Sequence, residues 1–485
     1  MVRLAWVGFP IFPGRRCPVH VDYWCRLWHT DYVTETRGQD AHQDRANPYL
    51  LPAPRGGPVN PAADRITDPR GTNMETVFNA TADRLTVKDA LTLVNRHVSR
   101  RTVIPVLSNV HVEACEATQR LTFTATDLDG TFEASVEASV TGTGSVLVSR
   151  ETLAGTVKAG GETVGFRFEP SELIGTVHVD TGNTVGMPAG PMEDWPRLPD
   201  LCPSGTYYAV SPADRAGLGT VARFASTDVG RPVLTGVNID GRNAAATDSY
   251  RLAVTELDPN LPSMLLPARY VKLVAGWKIG DPGLNDHVGL VASEPDREET
   301  RYVIVTGTIL QGPKRARREV RVRFGFHTIA GSFPNYRALM PEPANVDQDA
   351  IWVHVDRDAA IAAVKGLEPV AKQANTPVGL KITSGRITFT ASNQEGGSGK
   401  ATVPARVQGP GFTAPMPEDV RKLYLTGPEG EPELVVHYNP TFLRDQLQAM
   451  PAGPVAVSIR TALKPARFDH VDTDLTGLLM PMRVS

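Results

Sequence analysis

Four residues near the amino terminus have the types and the spacing of metal ligands. They are Cys17, His20, Cys25 and His29, in the pattern C-x2-H-x4-C-x3-H, and structural zinc sites use thiolate and imidazole ligands of this kind. Such a site needs all four ligands on one compact loop, and no glycine-rich turn surrounds these residues. We therefore interpret the pattern as chance in a stretch rich in Trp and Cys, and we predict no metal site and no cofactor.

Two further motifs suggest catalysis at first, and neither fits the chemistry. The stretch GGSGKAT (396–402) lacks the G-x4-G-K-[ST] spacing of a phosphate-binding loop, since Ala401 follows Lys400. Asp127 and Asp248 could act as paired carboxylates, but they hold equivalent positions in an internal repeat, where Asp after a strand fixes a turn. The sequence offers no nucleophile paired with a base, so it predicts a protein that is not an enzyme.

Composition limits the class of protein. The chain has 485 residues, 41% of them hydrophobic, and a net charge of −3, which excludes a globally basic nucleic-acid binder but not a local basic face. Its four Cys are too few and too scattered for a disulfide framework. No apolar run approaches the ~18 residues of a membrane span. We expect a cytoplasmic protein that does not associate with membranes.

The first 73 residues differ from the rest of the chain. They contain three of the six Trp and long stretches without a steady period, such as NPYLLPAPRGGPVNPAADRITDPRGTN. A segment of this composition cannot bury enough apolar surface to offset the entropy lost on ordering. We expect residues 1–73 to be a disordered leader and Met74 to be the natural start.

The remaining sequence alternates between apolar and polar residues, as in RLTFTATD and TFEASVEASV. This period of two predicts antiparallel strands. Helical periodicity is confined to six short segments, at 85–98, 149–159, 211–224, 267–278, 357–372 and 440–450. The sequence therefore predicts an α+β fold, and the even spacing of the helices indicates a repeat.

The repeat is visible around three turns. Residues 104–136 align with 231–257, because each copy runs from Pro-Val-Leu through an alternating strand to a second strand ending in Thr-Asp, at Thr126-Asp127 and Thr247-Asp248. A fainter copy at 376–403 has Ser392-Asn393 in place of Thr-Asp. Three copies, each with two helices and antiparallel sheets, account for the body of the chain.

Four motifs follow one another in a fixed order: WPRLP (195–199), TDSYRLAV (247–254), GSFPNYRALMP (331–341) and LLMPMRV (478–484). They are similar to the FPxLP, TDxxRLAV, GxFPxYxxxxP and terminal MPMR motifs of one family. On these residues, the chain from 74 to 485 resembles the bacterial DNA polymerase III beta subunit, the beta sliding clamp.

The resemblance implies three clamp domains, at 74–200, 201–340 and 341–485, and two subunits that close head to tail into a ring around DNA. A head-to-tail interface gives a ring when its rotation closes. Sheets would form the outside of the ring and helices would line the hole. The implied function is that of a processivity factor, an accessory subunit without catalytic residues of its own.

Basic residues of the predicted helices suit such a lining. The helical segments carry more bases than acids although the whole chain is acidic, and a basic surface attracts phosphates without reading the bases of DNA. A solvated helix face is the simpler interpretation of any single base, but the set favours DNA binding. The candidate DNA-binding residues are Lys88, Arg96, Arg100, Arg101, Arg215, Arg223, Arg231, Arg269, Lys272 and Lys278.

The resemblance also implies a groove between the middle and last domains that receives short apolar motifs of partner proteins. Met side chains near the carboxyl terminus suit this role, because they are flexible and can repack around many ligands. Alternation along 478–484 would put even-numbered residues on one face and odd-numbered residues on the other, so that one face can be core and the other groove. The candidate residues are Leu234, Thr247, Ser249, Tyr250, Arg251, Leu252, Pro334, Leu339, Asn439, Phe442, Leu478, Met480, Pro481, Met482 and Arg483.

The implied partners are double-stranded DNA bound without sequence preference, the DNA polymerase III alpha subunit, the clamp loader, other clamp-binding polymerases and repair proteins, and a second copy of the chain. An alternative is a clamp-like paralogue that binds partner peptides without encircling replicating DNA. Retention on nicked circular DNA, lost when the DNA is linearised, would distinguish the two.

Overall fold

The computed structural model describes residues 78–98, 103–171, 175–199, 201, 206–279, 288–296, 300–313, 316–340, 350–372, 376–393, 396–409, 412, 425–426 and 432–483. The predicted leader 1–73, Met74 and the four residues of the zinc pattern lie outside the described residues, as do Arg100 and Arg101. We call the described parts of 78–199, 201–340 and 350–483 the first, second and third units.

Within the described residues each unit contains two α-helices, close to the positions that the sequence predicts. They are α1 (Arg84–His97) and α2 (Arg150–Lys158), α3 (Pro212–Val221) and α4 (Ala268–Ala275), and α5 (Arg357–Lys372) and α6 (Pro440–Ala449). Polar side chains fix several of the starts, since Asp83 caps α1, and Ser211 and Asp214 form a capping box on α3. None of these helices is long and apolar enough to cross a membrane.

Several strands, such as β1, β2 and β7, alternate between buried and more exposed residues, as the period of two predicts, whereas β13 is buried throughout. In the first unit they are β1 (Asn79–Asp83), β2 (Asn109–Cys115), β3 (Arg120–Thr126), β4 (Gly130–Glu137), β5 (Ser139–Thr141), β6 (Gly144–Ser149), β7 (Thr163–Glu169), β8 (Thr176–Asp180) and β9 (Thr184–Pro188). In the second unit they are β10 (Thr206–Val210), β11 (Gly236–Thr247), β12 (Arg251–Pro267), β13 (Val288–Ala292), β14 (Tyr302–Gln311) and β15 (Arg318–His327). In the third unit they are β16 (Ile351–Asp356), β17 (Val378–Thr383), β18 (Arg386–Ser392), β19 (Ser398–Gln408), β20 (Leu425–Thr426), β21 (Pro432–Tyr438), β22 (Pro454–Ile459), β23 (Ala466–His470) and β24 (Thr473–Leu479).

Three antiparallel sheets contain these strands, and two of the sheets run from one unit into the next. Their orders are β5-β1-β7-β8-β9, β10-β13-β14-β15-β4-β3-β2-β6 and β11-β12-β24-β23-β22-β16-β19-β18-β17-β21-β20. Phe132 of β4 lies opposite Phe324 of β15, and Leu252 of β12 lies opposite Leu478 of β24. The predicted α+β fold with antiparallel sheets is confirmed.

In each turn of the sequence repeat, a side-chain oxygen accepts a hydrogen bond from the backbone shortly after it, and the first two turns share one geometry. Asp127 and Asp248 each accept a hydrogen bond at 3.0 Å from the backbone N–H three residues further on, and Asn393 accepts one at 2.7 Å from the N–H four residues further on. The residue after each aspartate has a left-handed backbone, with φ of 73° at Leu128 and 80° at Ser249. The two aspartates are therefore turn formers, as the repeat predicts, and not a catalytic pair.

A buried aromatic cluster around His97 joins the first unit to the second. The Nε2 atom of His97 accepts a hydrogen bond from Trp277 Nε1–H at 2.7 Å. The Nδ1–H group of His97 donates to the Leu93 carbonyl oxygen at 2.8 Å. The imidazole stacks on Phe132 with 4.1 Å between ring centroids. One neutral tautomer satisfies both hydrogen bonds, and burial lowers the pKa of His97 to about 4.

We predict that acidification weakens this junction. The folded pKa of His97 lies below its ordinary value of 6.5, so between these values the unfolded chain binds a proton that the folded chain does not. The contribution of His97 to the free energy of unfolding is therefore complete above about pH 6.5 and is lost as the pH falls towards 4. About 2 kcal/mol of it is lost at pH 5. Urea unfolding at pH 7 and pH 5 measures this loss as the difference between the wild type and His97→Gln, which lacks the titrating group. An equal loss in both proteins would show that another group is responsible.

Candidate nucleic-acid interface and partner groove

Most of the described candidate DNA-binding residues are accessible on or directly after the helices. Arg96, Arg223, Lys272 and Lys278 are exposed, and Lys88 is half-buried. Partial desolvation of its ammonium group lowers the pKa of Lys272, and the nearby Arg251 and Arg223 lower it further.

The acidic residues of the same helices have local partners. Asp89, the acid of α1, forms an ion pair with Arg318 at 2.7 Å. Asp214, the acid of α3, is buried in its capping box, and Asp445, the acid of α6, forms an ion pair with Arg251 at 2.7 Å. Since α4 has no acid, the exposed bases dominate the charge on these helices.

Three of the candidate DNA-binding residues are held by other contacts. Arg215 is only 7% exposed and its Nη1 donates to the Trp277 carbonyl oxygen at 3.0 Å, so the prediction that it contacts DNA is wrong. Arg231 forms an ion pair with Asp228 at 3.0 Å, and Arg269 forms one with Asp129 at 2.8 Å. Arg231 and Arg269 remain exposed, but a neighbouring carboxylate offsets the charge of each.

Two exposed lysines on the remaining helices were missed by the sequence reasoning. Lys158 lies in the last turn of α2 and Lys365 lies on α5. Both lie on the polar face of their helix, away from its buried residues. This position can be recognised in the sequence from the apolar periodicity of the helix.

The partner groove residues lie where the second and third units meet. Beyond β24, Met480 N donates to the Tyr250 carbonyl oxygen at 2.9 Å, and Met482 N donates to the His437 carbonyl oxygen at 2.7 Å. The tail therefore runs from the turn of the second unit to β21 of the third unit, and hydrogen bonds hold its backbone at both ends.

Large apolar side chains remain exposed at this junction. Tyr250 is 59% exposed and stacks on Phe442 with 5.9 Å between ring centroids. Met480, bonded through its backbone to Tyr250, is 43% exposed, and Leu339 of the connecting segment is also exposed. Exposed apolar surface of this kind marks interaction sites, and it suits a short peptide with apolar anchors.

Buried residues form the base of the groove. Leu252 and Leu478, opposite each other in the sheet, pack with Ala245 and Tyr336 in one small cluster. Tyr336 was missed by the sequence reasoning, although its place in the GSFPNY motif is a signal that could have found it. The groove therefore rests on the strand pairing between the two units.

Arg251 contacts residues of both the second and the third unit at the groove. Its guanidinium carbon lies 4.7 Å from the ring centroid of Phe442 and 5.2 Å from that of Phe224. It also forms ion pairs with Asp248 at 2.9 Å and with Asp445 at 2.7 Å. Arg251 is thus a structural part of the groove, and its partners Phe224 and Asp445 were not found from the sequence.

The other candidate groove residues take structural or peripheral places. Leu234 is buried, the Thr247 hydroxyl donates to the Arg251 carbonyl oxygen, and Asn439 caps α6. The hydroxyl of Ser249 accepts a hydrogen bond from Arg231. Pro334 and Arg483 are exposed, and Pro481 and Met482 are half-buried.

The predicted alternation along 478–484 is wrong. Leu478 and Leu479 are both buried, and exposure begins at Met480. The reason is that β24 ends at Leu479, so the period of two that governs a strand does not continue into the tail.

Comparisons with known proteins find similar chains in one family. A model described as the DNA polymerase III beta subunit, N-terminal domain, matches residues 78–199. The beta sliding clamp of Streptomyces coelicolor is 26% identical over 424 residues, which cover 83% of this chain and 98% of that protein. The beta sliding clamp of Synechococcus elongatus is 25% identical over 403 residues, which cover 81% and 96%. This chain is similar to DNA polymerase III beta subunits along most of its length.

Solved structures share the fold of this chain. The DNA polymerase III beta subunit of Thermotoga maritima matches with a TM-score of 0.65 at 18% identity. The C. crescentus beta sliding clamp matches with a TM-score of 0.66 at 21% identity, and each match covers 84% of this chain and 100% of the other. At these identities the likeness establishes the fold alone.

We predict that removal of Met480–Ser485 abolishes peptide binding and leaves the fold intact, because β24 ends at Leu479. Loss of apolar anchors at a groove centre should weaken binding of a clamp-binding polymerase peptide more than about tenfold. Fluorescence titration of that peptide and thermal melting measure the two effects.

The matched control for the truncation is Leu479→Ala, which lies in the core strand. It should lower the free energy of unfolding by about 2–5 kcal/mol. Normal peptide binding by the truncated protein would contradict a role of the tail in the groove, and unfolding of the truncated protein would show that the tail is needed for the core.

Proposed function

We propose that this chain is a DNA sliding clamp, in which two copies encircle double-stranded DNA and tether the replicative polymerase and other replication and repair proteins to it. The observation that carries the proposal is the separation of charge on α1, α3 and α4. Arg96 of α1, Lys272 of α4 and Lys278 just after α4 are exposed, while the acids of α1 and α3 are paired or capped and α4 has none. Phosphate contacts from such a surface hold DNA without reading its sequence, as sliding requires.

Two strand edges support ring closure by a second copy. β9 is the last strand of its sheet, and among the described strands it pairs only with β8. β19 pairs with β18 over Ser398–Pro404 and with β16 only over Ala405–Gln408, so one edge of its first half has no described partner. The strands that follow the equivalent turns, β4 and β12, are each paired with the next unit through β15 and β24. Pairing of β19 with β9 of a second copy would form the same junction a third time, head to tail.

The proposed action is tethering without a chemical step by this subunit. A polymerase held by a ring has a raised effective concentration at the primer end, and no new contact with the reacting atoms is needed. The groove at Tyr250, Phe442 and Met480 would receive the apolar motifs of the DNA polymerase III alpha subunit and of the clamp loader, in the cytoplasm.

A clamp-like paralogue that binds peptides without encircling DNA is the second candidate. It is favoured by one observation, that the groove is formed within a single chain and does not need a ring. Retention on nicked circular DNA separates the candidates, because a ring is lost from the DNA after linearisation and a peptide binder does not respond to linearisation.

We predict that Lys272→Glu with Lys278→Glu weakens retention of the loaded protein on nicked circular DNA. Charge reversal removes phosphate contacts, so the loss should be largest at low salt, and the slope of log affinity against log salt should become shallower by roughly one unit for each contact removed. Gel filtration of loaded DNA over a range of salt concentrations measures both quantities.

The matched control for this charge reversal is Arg386→Glu, an exposed base at the start of β18 in the outer part of the sheet. It should leave retention unchanged. Equal retention of all three proteins at low salt would exclude α4 from the DNA-facing surface.

A further inference from the structure

The β14–β15 hairpin extends beyond the sheet to which it belongs. Among the described strands, β13 pairs with β14 only over Val303–Thr306, and β4 pairs with β15 only over Arg321–Phe326. β14 and β15 continue to pair with each other to the end of the hairpin. The part beyond the sheet, which we call the ribbon, consists of residues 307–311 and 318–320. A hairpin of two strands is marginally stable alone, so the position of the ribbon depends on other contacts.

One face of the ribbon packs on the segment that follows α4. Ile309 and Val320 lie opposite each other on this face and are buried. Ile279 forms a single β-bridge with Ile309, and the Leu310 N–H donates to the Lys278 carbonyl oxygen at 2.7 Å. These contacts fix the ribbon next to the end of α4.

The same face of the ribbon contacts α1 of the first unit. Arg318 lies two residues before Val320 on β15, so both side chains are on this face. The Nε and Nη2 atoms of Arg318 lie 2.8 and 2.7 Å from one carboxylate oxygen of Asp89. Asp89 is the acid of α1, so the ribbon offsets the negative charge of a helix that otherwise presents bases.

An exposed base lies further along the same side of α1. Arg96 is exposed and follows Asp89 by seven residues, which is about two helical turns. A Cβ at Gly276, just after α4, would lie 3.8 Å from Arg96 Nη2. Arg96 and the ribbon therefore both border the side of α1 that faces the second unit.

The turn at the tip of the ribbon adds another exposed base, Arg317. The chain is tightly folded there, since Gly312 has a φ of 91° and a Cβ at this glycine would lie 2.8 Å from the Ala316 carbonyl oxygen. The sequence contains no acid from 312 to 318. The acid that follows, Glu319, lies on the ribbon face opposite to Arg318, because side chains alternate along a strand. The tip therefore presents positive charge beside α1.

We propose that this tip is a further DNA-contact element, in which Arg317 binds a phosphate of the duplex and Arg318 acts as a positioning residue. The inference deepens the proposed function and rests on it. An unpaired Asp89 carboxylate would repel phosphates from α1, whereas the Arg318–Asp89 pair allows the DNA backbone to pass between Arg96 and the tip. Duplex DNA is favoured over an acidic protein surface, because the tip borders a basic helix and the partner groove lies at the other junction. A phosphate contact reads no base and is compatible with sliding.

Charge reversal at the tip tests the phosphate contact. Arg317→Glu should weaken retention of the loaded protein on nicked circular DNA at low salt, and the slope of log affinity against log salt should become shallower by roughly one unit. Gel filtration of the loaded DNA over a range of salt concentrations measures both quantities. The matched control is Arg386→Glu, an exposed base at the start of β18, which should leave both unchanged.

A cycle of charge changes tests the positioning role of Arg318. Arg318→Gln should weaken retention, because it leaves the Asp89 carboxylate unpaired. Asp89→Asn in the same chain should restore most of the lost retention, since it removes the repelling charge. Thermal melting of these variants is the control for a merely structural role. Retention that only followed the melting temperature, or a double variant retained no better than Arg318→Gln, would overturn the positioning role.

Photo-crosslinking identifies the molecule that the tip touches. Arg317 is replaced by p-benzoylphenylalanine, and the loaded protein is irradiated on nicked circular DNA in the presence of the polymerase. Crosslinks to DNA are expected. Crosslinks to the polymerase alone, or no crosslink at all, would overturn the phosphate contact.

The charge reversal on α4 separates this proposal from the proposed function. If Lys272→Glu with Lys278→Glu lowers retention while Arg317→Glu is retained like the wild type, the tip contact is overturned and the clamp stands. A wild-type protein that leaves nicked circular DNA as readily as linear DNA would overturn both.

Discussion

In each unit, the strand that follows the repeat turn has an outer edge that strands of the same unit do not pair with along its whole length. The rest of the structure depends on how that edge is paired. An open edge exposes backbone donors and acceptors and is a template for another strand. β15 pairs with the outer edge of β4, and β24 pairs with that of β12. The groove follows from the second pairing, because the chain must leave β24 at Leu479 and cross the junction with Met480 and Met482. No described strand pairs with the corresponding edge of β19, and the proposed second copy would supply a partner.

The two junctions within the chain use different chemistry for the same task. The first relies on a neutral His97 between Trp277 and the Leu93 carbonyl, in a cluster of aromatic rings. The second relies on the permanent charge of Arg251, held by Asp248 and Asp445 and covered by the ring of Phe442. A neutral hydrogen-bonded histidine depends on pH but little on salt, whereas an arginine ion pair depends on salt but not on pH in the neutral range. The groove lies at the second junction, where Phe442 contacts both Arg251 and the exposed Tyr250.

Local signals predicted the fold better than the site. The six helices follow from short-range periodicity, and the turns at Asp127 and Asp248 follow from side chains that bond their own backbone. Both features can be predicted without knowledge of tertiary contacts. The burial of Arg215 could not be predicted in this way, because its partner is the carbonyl of Trp277, far away in the chain. The tail could not be predicted from local sequence either. The alternation of buried and exposed residues holds only while the strand is paired, and β24 ends at Leu479. Family motifs predicted the groove residues, but the partners of Arg251, such as Phe224 and Asp445, belong to elements that only the fold brings to it.

Charge separation on the helices and cohesion between the units have a common origin. Asp89 is the acid of α1 and Asp445 is the acid of α6, and both form ion pairs with arginines of another unit, Arg318 and Arg251. Each pair removes a negative charge from the helix surface and at the same time joins two units. The arginines in these pairs are largely shielded from solvent, so salt screens them less than it screens contacts between exposed lysines and phosphates. Rising salt should therefore release DNA from the proposed ring before it loosens the junctions within each subunit, which is the order that a reusable clamp requires.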